Sequence, residues 1–593
     1  MSGLDLWPIG NCQVSALIDD AAGLVWACQP RVDGDPLFCA LLDPKPPVQG
    51  VWRIELEGQV SATQRYLKNT PILVTRLTDA DGGVADVYDF CPRLERGGRT
   101  YRPVAFVRIV RPLAGAPRIR VTLQPATGWG ARAAAVTSGT NHIRFLTEPQ
   151  PLRLTTDAPI IHLLEDRSFR LEKPLHFFLG PDEPFVGKIG HSLAAMLHET
   201  SDHWQAWVRG LAIPLEWQQV VIRAAIALKL CQHEETGAIV AALTTSIPEA
   251  PNSGRNWDYR YCWIRDAYYT VQALNRLGAL DVLETYLAFL RNVVDNARSG
   301  HIQPLYAVSG EPRLDERIAE DLAGYRAMGP VRVGNAAYTQ VQYDAYGQIV
   351  LSNTHAFFDE RLYRKATQED FASLEKVGER AWKKYDKPDA GLWEFRTRNG
   401  VHTYSAVMSW AACDRLANIA VTLGLDARAK AWRRRALAIR AGIEEKAWFA
   451  PEKRFAATFG GDGLDASLLQ LVDMRFLEPD DPRFLATFNA VEKGLRRGDN
   501  MLRYASEDDF GLPETAFNFC TFWLIEALFL VGRKEEARDL YVKMLDRRTS
   551  SGLLSEDTDF DSGELWGNYP QTYSLVGLIN CAGLLSRPWS SVR

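Results

Sequence analysis

Two kinds of hydrophobic pattern divide this chain. Up to about residue 190, short runs alternate apolar with polar positions, as in VWRIELEG, VAFVRIV, RIRVTLQP and HIRFLTE, and glycine, proline and aspartate separate the runs. A period of two at such close spacing is typical of antiparallel strands that pack as a sandwich. From about residue 191 onward the apolar positions follow the helical period instead.

The second part of the chain predicts a ring of paired helices. A connecting helix in HSLAAMLHETSDHWQAWVRG is followed by helical patterns over residues 216–231, 266–277, 280–297, 343–357, 369–385, 405–423, 427–448, 484–495, 514–531, 534–545 and 570–585. Several of them, such as VVIRAAIALKL and TFWLIEALFL, are apolar on nearly every side, which indicates burial on more than one face. No repeat of fixed length is visible. We therefore expect a closed ring, in which residues at the starts of alternate helices meet in one pocket.

Composition and charge exclude several classes of function. The chain has 593 residues and a net charge of −5, and its basic residues form no run long enough to follow phosphates, so we expect no nucleic-acid partner. Its most apolar stretch, TAFNFCTFWLIEALFLVG, carries Asn518 and Glu526 and is too short to span a membrane. Nine scattered cysteines without a C-x-x-C pair are typical of free thiols in a reducing compartment. The prediction is a soluble cytoplasmic protein without a membrane partner.

One short segment, RNWDYRYCWIRDAYYT, mixes aromatic and charged side chains more densely than a core element or a solvated helix would. It is therefore either an interface or the wall of a pocket. Arg265 and Asp266 are adjacent at a predicted helix start, where one can donate hydrogen bonds to vicinal hydroxyls and the other can accept them. Trp263 can cover the apolar face of a sugar ring. A capped helix start with a local ion pair is the alternative.

Three further segments place polar and aromatic residues near predicted helix starts. PVRVGNAAYTQVQYDAYGQ offers Tyr338 as a stacking surface beside amide and carboxylate groups. In DAGLWEFR, Glu394 follows Trp393, and a carboxyl beside a tryptophan in a partly dry pocket can stay protonated near neutrality, as a general acid must. LRYASEDDFG adds Arg503 before the most apolar helix. An ordinary loop or a polar helix face is the alternative for the first two of these segments.

The segment GLLSEDTDFDSGELWGNYPQTYS is rich in acids and has two interpretations. Its spaced carboxylates are similar to a calcium loop, but Gly563 stands one place too late when the loop is counted from Asp557. In the other interpretation, one of the carboxylates is a general base that acts on water. No H-E-x-x-H motif, glycine-rich phosphate loop or G-x-S-x-G elbow is present, so the chain offers carboxylate chemistry.

In this order, the segments resemble glycoside hydrolase family 15, the glucoamylase and bacterial trehalase family, in its two-domain bacterial form. NWDYRYCWIRD, GLWEFR followed by SAVMSWAACDR, and LLSEDTDFDSGELWGNYPQTYSLVGLIN carry the resemblance, which covers most of the chain. It implies a multidomain α+β fold. Its parts are an N-terminal antiparallel β-sandwich at residues 1–190, a helical linker at 191–214 and a catalytic (α/α)6 barrel, or six-hairpin toroid, at 215–593.

The family resemblance also implies a reaction. An inverting exo-hydrolase releases β-glucose from the non-reducing end of an α-glucoside, with a carboxylic acid and a water-activating carboxylate about 6.5–9.5 Å apart. Glu394 matches the acid and Glu556 the base. The positions that match substrate contacts are Tyr259, Trp263, Arg265, Asp266, Tyr338, Trp393 and Arg503. The implied partner is a small carbohydrate, trehalose or a malto- or isomalto-oligosaccharide, with no metal and no cofactor. A homo-oligomer stays open.

Two rival classes of function stay open beside this one. A phosphorylase or glycosyltransferase on the same toroid would need a phosphate pocket in place of the base. A non-catalytic carbohydrate-binding relative would have lost one of the two carboxylates. Because both Glu394 and Glu556 are present, the sequence favours hydrolysis.

Overall fold

Antiparallel strands build the N-terminal part of the protein. The structure, a computed structural model, describes residues 3–43, 49–297 and 300–592. The strands of this part are β1 (Trp7–Gly10), β2 (Ser15–Ile18), β3 (Gly23–Gln29), β4 (Asp35–Phe38), β5 (Val51–Leu56), β6 (Gln59–Tyr66), β7 (Leu73–Asp79), β8 (Val84–Phe90), β9 (Leu94–Arg96), β10 (Arg99–Tyr101), β11 (Phe106–Ala114), β12 (Arg118–Gln124), β13 (Ala126–Thr127), β14 (Arg132–Ala133), β15 (Ala135–Ser138), β16 (His142–Leu146), β17 (Leu152–Thr156), β18 (Phe169–Arg170) and β19 (Leu175–Pro181).

Two large sheets pack against each other here, which confirms the expected antiparallel domain. One sheet has the order β1-β2-β3-β5-β12-β18, with β4 paired to β3, and the other has the order β15-β16-β17-β19-β11-β8-β7-β6. Trp52 of the first sheet meets Phe177 of the second edge to face, with ring centroids 6.4 Å apart. The buried Arg108 of the second sheet pairs with Asp89 at 2.7 Å and donates to the carbonyl of Trp52 at 2.7 Å, so its charge is compensated inside the sandwich.

Helices dominate the rest of the chain, and one further short helix lies between β17 and β18. They are α1 (Ile160–Leu164), α2 (Ile189–Arg209), α3 (Gln218–Leu230), α4 (Ile264–Arg276), α5 (Leu280–Asn296), α6 (Asp344–Phe358), α7 (Gln368–Lys384), α8 (Thr403–Thr422), α9 (Asp426–Lys446), α10 (Gln470–Asp473), α11 (Pro482–Leu495), α12 (Asn518–Leu530), α13 (Lys534–Asp546) and α14 (Thr572–Leu585). Short 3-10 turns occupy Tyr325–Ala327, Ala336–Thr339, Ala450–Glu452, Ala466–Leu469 and Trp589–Val592.

Short strands occur in the loops between these helices. They are β20 (Gln232–His233), β21 (Ala238–Ile239), β22 (Cys262–Trp263), β23 (Leu305–Tyr306), β24 (Arg317–Ile318), β25 (Arg332–Val333), β26 (Trp448–Phe449), β27 (Arg454–Phe455), β28 (Arg496–Arg497), β29 (Asn500–Met501), β30 (Thr515–Phe517), β31 (Asp557–Asp559) and β32 (Leu565–Trp566).

The helices close into two concentric rings, as the sequence predicts. In the inner ring α4 contacts α6, α6 contacts α8, the short α10 with its 3-10 turn fills the next place, and α12 and α14 lead back to α4. The outer helices α3, α5, α7, α9, α11 and α13 pack on this ring. α3 belongs to the outer ring but is apolar on nearly every side, because the strand domain covers it. Arg223 of α3 lies 3.6 Å from the centroid of the Tyr66 ring and donates to the carbonyl of Thr70 at 2.9 Å.

One predicted helix begins later than the pattern indicates. The sequence predicts a helix from residue 514, whereas Thr515–Phe517 form β30 and α12 begins at Asn518. β30 pairs with β31, so Phe517 stands opposite Asp557. A pairing between segments so far apart in the chain overrides the local preference for helix, and it holds the acid-rich loop against the start of an inner helix.

The two parts of the protein share an interface behind the barrel loops. Trp26 of β3 donates from its indole Nε1 to the carbonyl of Leu243 at 2.8 Å, and Arg93 pairs with Glu234 at 2.6 Å.

All nine cysteines lie within the described residues as buried free thiols. None of the helices in the described ranges is long and apolar enough to cross a membrane.

Candidate functional site

A pocket opens at the end of the barrel where the inner helices begin. Its wall is made by the first turns of α4 and α14 and by the loops that precede α4, α6, α8, α12 and α14. The pocket brings together both predicted catalytic residues and six of the seven predicted contact residues, which are Glu394, Glu556, Tyr259, Trp263, Arg265, Asp266, Trp393 and Arg503. The expectation that alternate helix starts meet in one pocket is therefore confirmed.

The aromatic and charged segment before α4 serves both the pocket and the contact with the strand domain. Trp257 and Tyr259 line the pocket. Arg260 is buried on the other side, where it pairs with Asp258 at 2.8 Å and donates to the carbonyl of Gly34 at 2.6 Å, in the turn between β3 and β4. Because alternate side chains of an extended stretch point in opposite directions, one segment is an interface and a pocket wall at once.

Glu394 lies in a tight turn before α8. Its φ of 59° falls in the left-handed region that few residues other than glycine adopt, and its amide donates to the carbonyl of Gly391 at 3.2 Å. Its Oε1 accepts hydrogen bonds from Trp263 Nε1 at 2.7 Å, Arg265 Nη2 at 2.9 Å and Gln342 Nε2 at 3.3 Å. Three donors on one oxygen fix the orientation of this half-buried carboxyl group.

Glu556 lies in the loop just before β31 and is buried. Its Oε1 accepts a hydrogen bond from the hydroxyl of Tyr259 at 2.6 Å, and among the described residues its Oε2 has no hydrogen-bond partner. Burial, together with the nearby carboxylates of Glu249 and Asp557, holds the pKa of Glu556 well above its usual range. A buried carboxylate in the pocket wall with one unpaired oxygen can accept a hydrogen bond from a ligand.

Two further buried acids and one arginine surround this carboxyl group. Glu249 accepts from Trp257 Nε1 at 2.9 Å and from Arg503 Nη2 at 2.5 Å. Asp557 accepts from the hydroxyl of Thr515 at 3.2 Å, and burial together with Glu249 raises the pKa of Asp557 to about 8. Arg503, which the sequence predicts as a sugar contact, lines the pocket, and together with Arg255 it lowers the pKa of Asp557 against these effects.

The adjacent pair at the start of α4 sets donors and acceptors side by side. Besides its bond to Glu394, Arg265 donates to the Tyr573 hydroxyl at 2.9 Å, to Gln342 at 2.8 Å and to Asp344 at 3.2 Å. Burial raises the pKa of Asp266 to about 7, although Arg265 opposes that shift. A guanidinium and a carboxyl group held in this way can together recognise neighbouring hydroxyls of one ligand.

Aromatic rings line the pocket beside these polar groups. Tyr259 and Trp263 meet edge to face with their centroids 5.4 Å apart. Trp393 donates from Nε1 to the buried Asp465 at 2.9 Å, and its ring lies 5.9 Å from that of Tyr504. Rings held by hydrogen bonds and by each other offer fixed faces to a sugar.

Tyr338 is the predicted contact that the structure does not bring into the pocket wall. It belongs to the 3-10 turn Ala336–Thr339, and its hydroxyl donates to Asp315 at 2.7 Å in exposed surroundings. Asn335 and Gln340, on either side of that turn, line the pocket instead. The aromatic residue in NAAYTQ predicted a stacking surface, but the 3-10 turn places its hydroxyl at Asp315, which the sequence does not reveal.

Several residues of the pocket were not predicted. Glu249 stands between two prolines in IPEAP, and this isolated acid just before the aromatic segment was the only local signal. The buried Arg255 and the half-buried Asp508 pair at 2.6 Å across two loops of the wall. Such pairs depend on loops that are distant in the chain, so no spacing rule could have joined them.

The acid-rich segment does not form a metal site in this structure. Within the described ranges, no group of three or more His, Cys, Asp or Glu side chains is arranged to hold a metal ion. Asp559 instead stabilises the turn that follows it, because its Oδ1 accepts from the amides of Ser562 at 2.8 Å and Asp561 at 3.2 Å.

Comparisons with known proteins agree with this pocket. The model of glycosyl hydrolases family 15 matches residues 217–583, and a model described as trehalase-like, N-terminal, matches residues 6–170. A trehalase of Thermoplasma volcanium is 31% identical over 592 residues, which cover 97% of this chain and 92% of that protein. A trehalase of Mycobacterium tuberculosis is 33% identical over 611 residues, which cover 96% of this chain and 88% of that protein.

A solved structure supports the fold. The crystal structure of a bacterial glucoamylase complexed with acarbose matches this chain with a TM-score of 0.70 and 14% sequence identity, covering 98% of this chain and 93% of that one. The expected architecture, antiparallel sheets followed by an (α/α)6 barrel, is thereby confirmed. The comparisons favour hydrolysis over the phosphorylase and the non-catalytic alternatives.

Proposed function

This chain belongs to glycosyl hydrolases family 15 and is an O-glycosyl hydrolase that acts on α-glucosides, and from that premise we propose that it hydrolyses trehalose with inversion. Relatives that cover nearly the whole chain carry the name trehalase, which supports this substrate. Trehalose consists of two glucose units joined C1 to C1 through α bonds. Because its leaving group is itself a glucose, the pocket would have to hold one sugar on each side of the bond.

The observation that carries the proposal is the pair of carboxyl groups in one pocket wall with different surroundings. Glu394 is proposed as the general acid that gives its proton to the bridging oxygen. Glu556 is proposed as the general base that takes a proton from water through its unpaired Oε2, while Tyr259 holds its Oε1. The water oxygen then forms the new bond to C1 from the face opposite the leaving glucose.

The remaining pocket residues are proposed to bind the sugar that receives the water. Arg265 and Asp266 would donate to and accept from its hydroxyls, since both are buried at the first turn of α4. Trp263 and Trp393 would cover its apolar faces, and Arg503 would make a further polar contact. Tyr338 lies outside the pocket wall, so this set of contacts leaves it out. A reducing compartment such as the cytoplasm is proposed from the nine free thiols.

Glucose release from trehalose, maltose, isomaltose and maltotriose tests the proposal. We expect the highest kcat/KM on trehalose and no measurable turnover in Glu394→Gln and Glu556→Gln. Glu564→Gln is the matched control, because Glu564 follows in the same segment but pairs with Arg326 outside the pocket wall. A higher kcat/KM on maltose or isomaltose would show that the substrate is wrong, although the assignment to the family would stand.

A further inference from the structure

Three side chains form a rim at the mouth of the pocket, and we propose that this rim, held by Arg396, limits the substrate to two sugar units. The rim consists of Trp257, Arg396 and Phe510, all of which line the pocket. This inference rests on the proposed function, because the same pocket binds the substrate. It assigns to Arg396 a role in selecting the number of sugar units in the substrate, not the type of glycosidic bond.

The exposure of the lining side chains gives the order of depth. The Arg265 side chain is 8% exposed, that of Glu394 is 24% exposed and that of Arg396 is 30% exposed, and the whole Phe510 residue is 36% exposed. The sugar at Arg265 is therefore the deepest, and the bond that is broken lies further out, at Glu394. The leaving sugar then occupies the space between Glu394 and the rim.

Arg396 ties three loops together across the mouth. Its guanidinium donates to Glu316 Oε2 at 2.9 Å and to Oε1 at 3.3 Å, in the loop before β24. Its backbone amide donates to Asp509 Oδ2 at 2.6 Å, and the amide of Thr397 donates to Asp509 Oδ1 at 3.2 Å. A two-pronged bond between charged groups is geometrically specific, so Arg396 holds the loops around the mouth together.

The same arginine packs on the rim's tryptophan. The Arg396 guanidinium carbon lies 4.2 Å from the centroid of the Trp257 ring, and that of Arg332 lies 5.1 Å from it. Phe510 meets the Trp257 ring edge on, with centroids 5.1 Å apart. Glu316 also accepts from Arg332 at 3.1 Å, so both arginines are already paired in the free protein. A third sugar unit would have to break these contacts to pass the rim.

Binding measured without catalysis tests this directly. Calorimetric titration of Glu394→Gln with maltose and with maltotriose compares two ligands that differ only by one further glucose at the reducing end. We expect Glu394→Gln to bind maltotriose at least tenfold more weakly than maltose, and the double variant with Arg396→Ala to reduce that ratio to about one. Glu316→Gln in the same background removes the charged tie with little change in volume and is expected to act in the same direction.

The control is Arg398→Ala, two positions along the chain, because Arg398 stacks on Phe395 with its guanidinium carbon 3.9 Å from the ring and does not line the pocket. In the Glu394→Gln background, Arg398→Ala should leave the ratio of the two dissociation constants unchanged. Equal ratios in Glu394→Gln alone and in its three double variants would contradict the proposed role of the rim. The absence of binding of either sugar in any of these proteins would contradict it as well. If Glu394→Gln binds maltose and maltotriose but not trehalose, the proposed substrate is wrong. The role of the rim is judged only on maltose and maltotriose, so that result leaves it standing.

Discussion

Tyr259 and Trp263 stand beside each other with ring centroids 5.4 Å apart, and each donates a hydrogen bond to a different carboxyl group. The hydroxyl of Tyr259 holds Glu556, and the indole of Trp263 holds Glu394. Because both donors belong to the short stretch just before α4, one segment of chain positions the proposed base and the proposed acid together. The spacing of the two carboxyl groups is thus built into local structure as well as into the barrel.

This arrangement predicts that Tyr259→Phe loses activity without losing the fold. The variant removes a hydrogen bond to a charged group, for which about 1.5–3 kcal/mol is typical, so we expect kcat/KM to fall about 10- to 100-fold. Steady-state kinetics on trehalose measure the loss. Tyr338→Phe is the matched control, since its hydroxyl binds Asp315 outside the pocket wall, and it should retain full activity. Equal activity of the two variants would contradict the role of Tyr259.

The acids around the proposed base predict a change in pH dependence. Glu249 is, after burial, the first cause of the raised pKa of Glu556. Glu249→Gln removes that negative charge, so the ionised form of Glu556 becomes easier to reach and its pKa falls. We therefore expect the acidic limb of kcat/KM against pH, which reports the base in the free enzyme, to move to lower pH.

The control for this shift is Asp559→Asn in β31. Asp559 bonds to the turn at Ser562 and does not line the pocket, so its variant should leave the acidic limb where it is. An acidic limb that stays in place in Glu249→Gln, or moves to higher pH, would show that the charge of Glu249 does not act on Glu556.

The buried acid of the sugar-binding pair predicts an effect on stability. Burial raises the pKa of Asp266 to about 7, against about 3.9 for an unfolded chain. Between these values the folded protein binds the extra proton, so this residue's contribution to stability falls as pH rises through that window. Asp266→Asn stays neutral. We expect the difference in melting temperature, variant minus parent, to be larger at pH 8.5 than at pH 5. The variant should also bind sugar more weakly.

Thermal unfolding at the two pH values checks this prediction. Asp315→Asn is the control, because the hydrogen bond from Tyr338 lowers the pKa of the exposed Asp315, and both pH values lie above its titration. Its melting temperature relative to the parent should therefore not depend on pH in this range. A pH-independent difference for Asp266→Asn would mean that Asp266 ionises normally in the folded protein.

The sequence predicted the rings of helices well, and the reasons are local. Inner helices such as α8 and α14 are buried on nearly every side, so their apolar patterns are long and continuous. The errors lie where distant segments meet. β30 takes the first residues of a predicted helix because it pairs with β31, and the short α10 lacks enough turns to give a periodic signal. Neither feature has a local signature.

The same distinction applies to the pocket. Residues at helix starts, such as Arg265 and Asp266, were predicted because they stand next to a recognisable pattern. Glu249 was not, because its loop reaches the pocket only through contacts with Trp257 and Arg503, which no spacing rule links. Tyr338 does not line the pocket for a related reason, since a 3-10 turn decides where its ring lies. The residues proposed for the chemistry lie in recognisable sequence motifs. Other residues of the pocket wall are brought there by tertiary contacts that the sequence does not show.

The most direct test of the account follows the anomers of glucose by proton NMR during the first minutes of trehalose hydrolysis. Attack of water with inversion at one C1 gives β-glucose, while the leaving glucose keeps its own C1–O bond and emerges as α-glucose. We predict equal amounts of the two anomers at the earliest times, and no glucose from Glu394→Gln or Glu556→Gln. Only α-glucose at early times, or turnover that survives Glu556→Gln, would contradict Glu556 as the base of an inverting hydrolase.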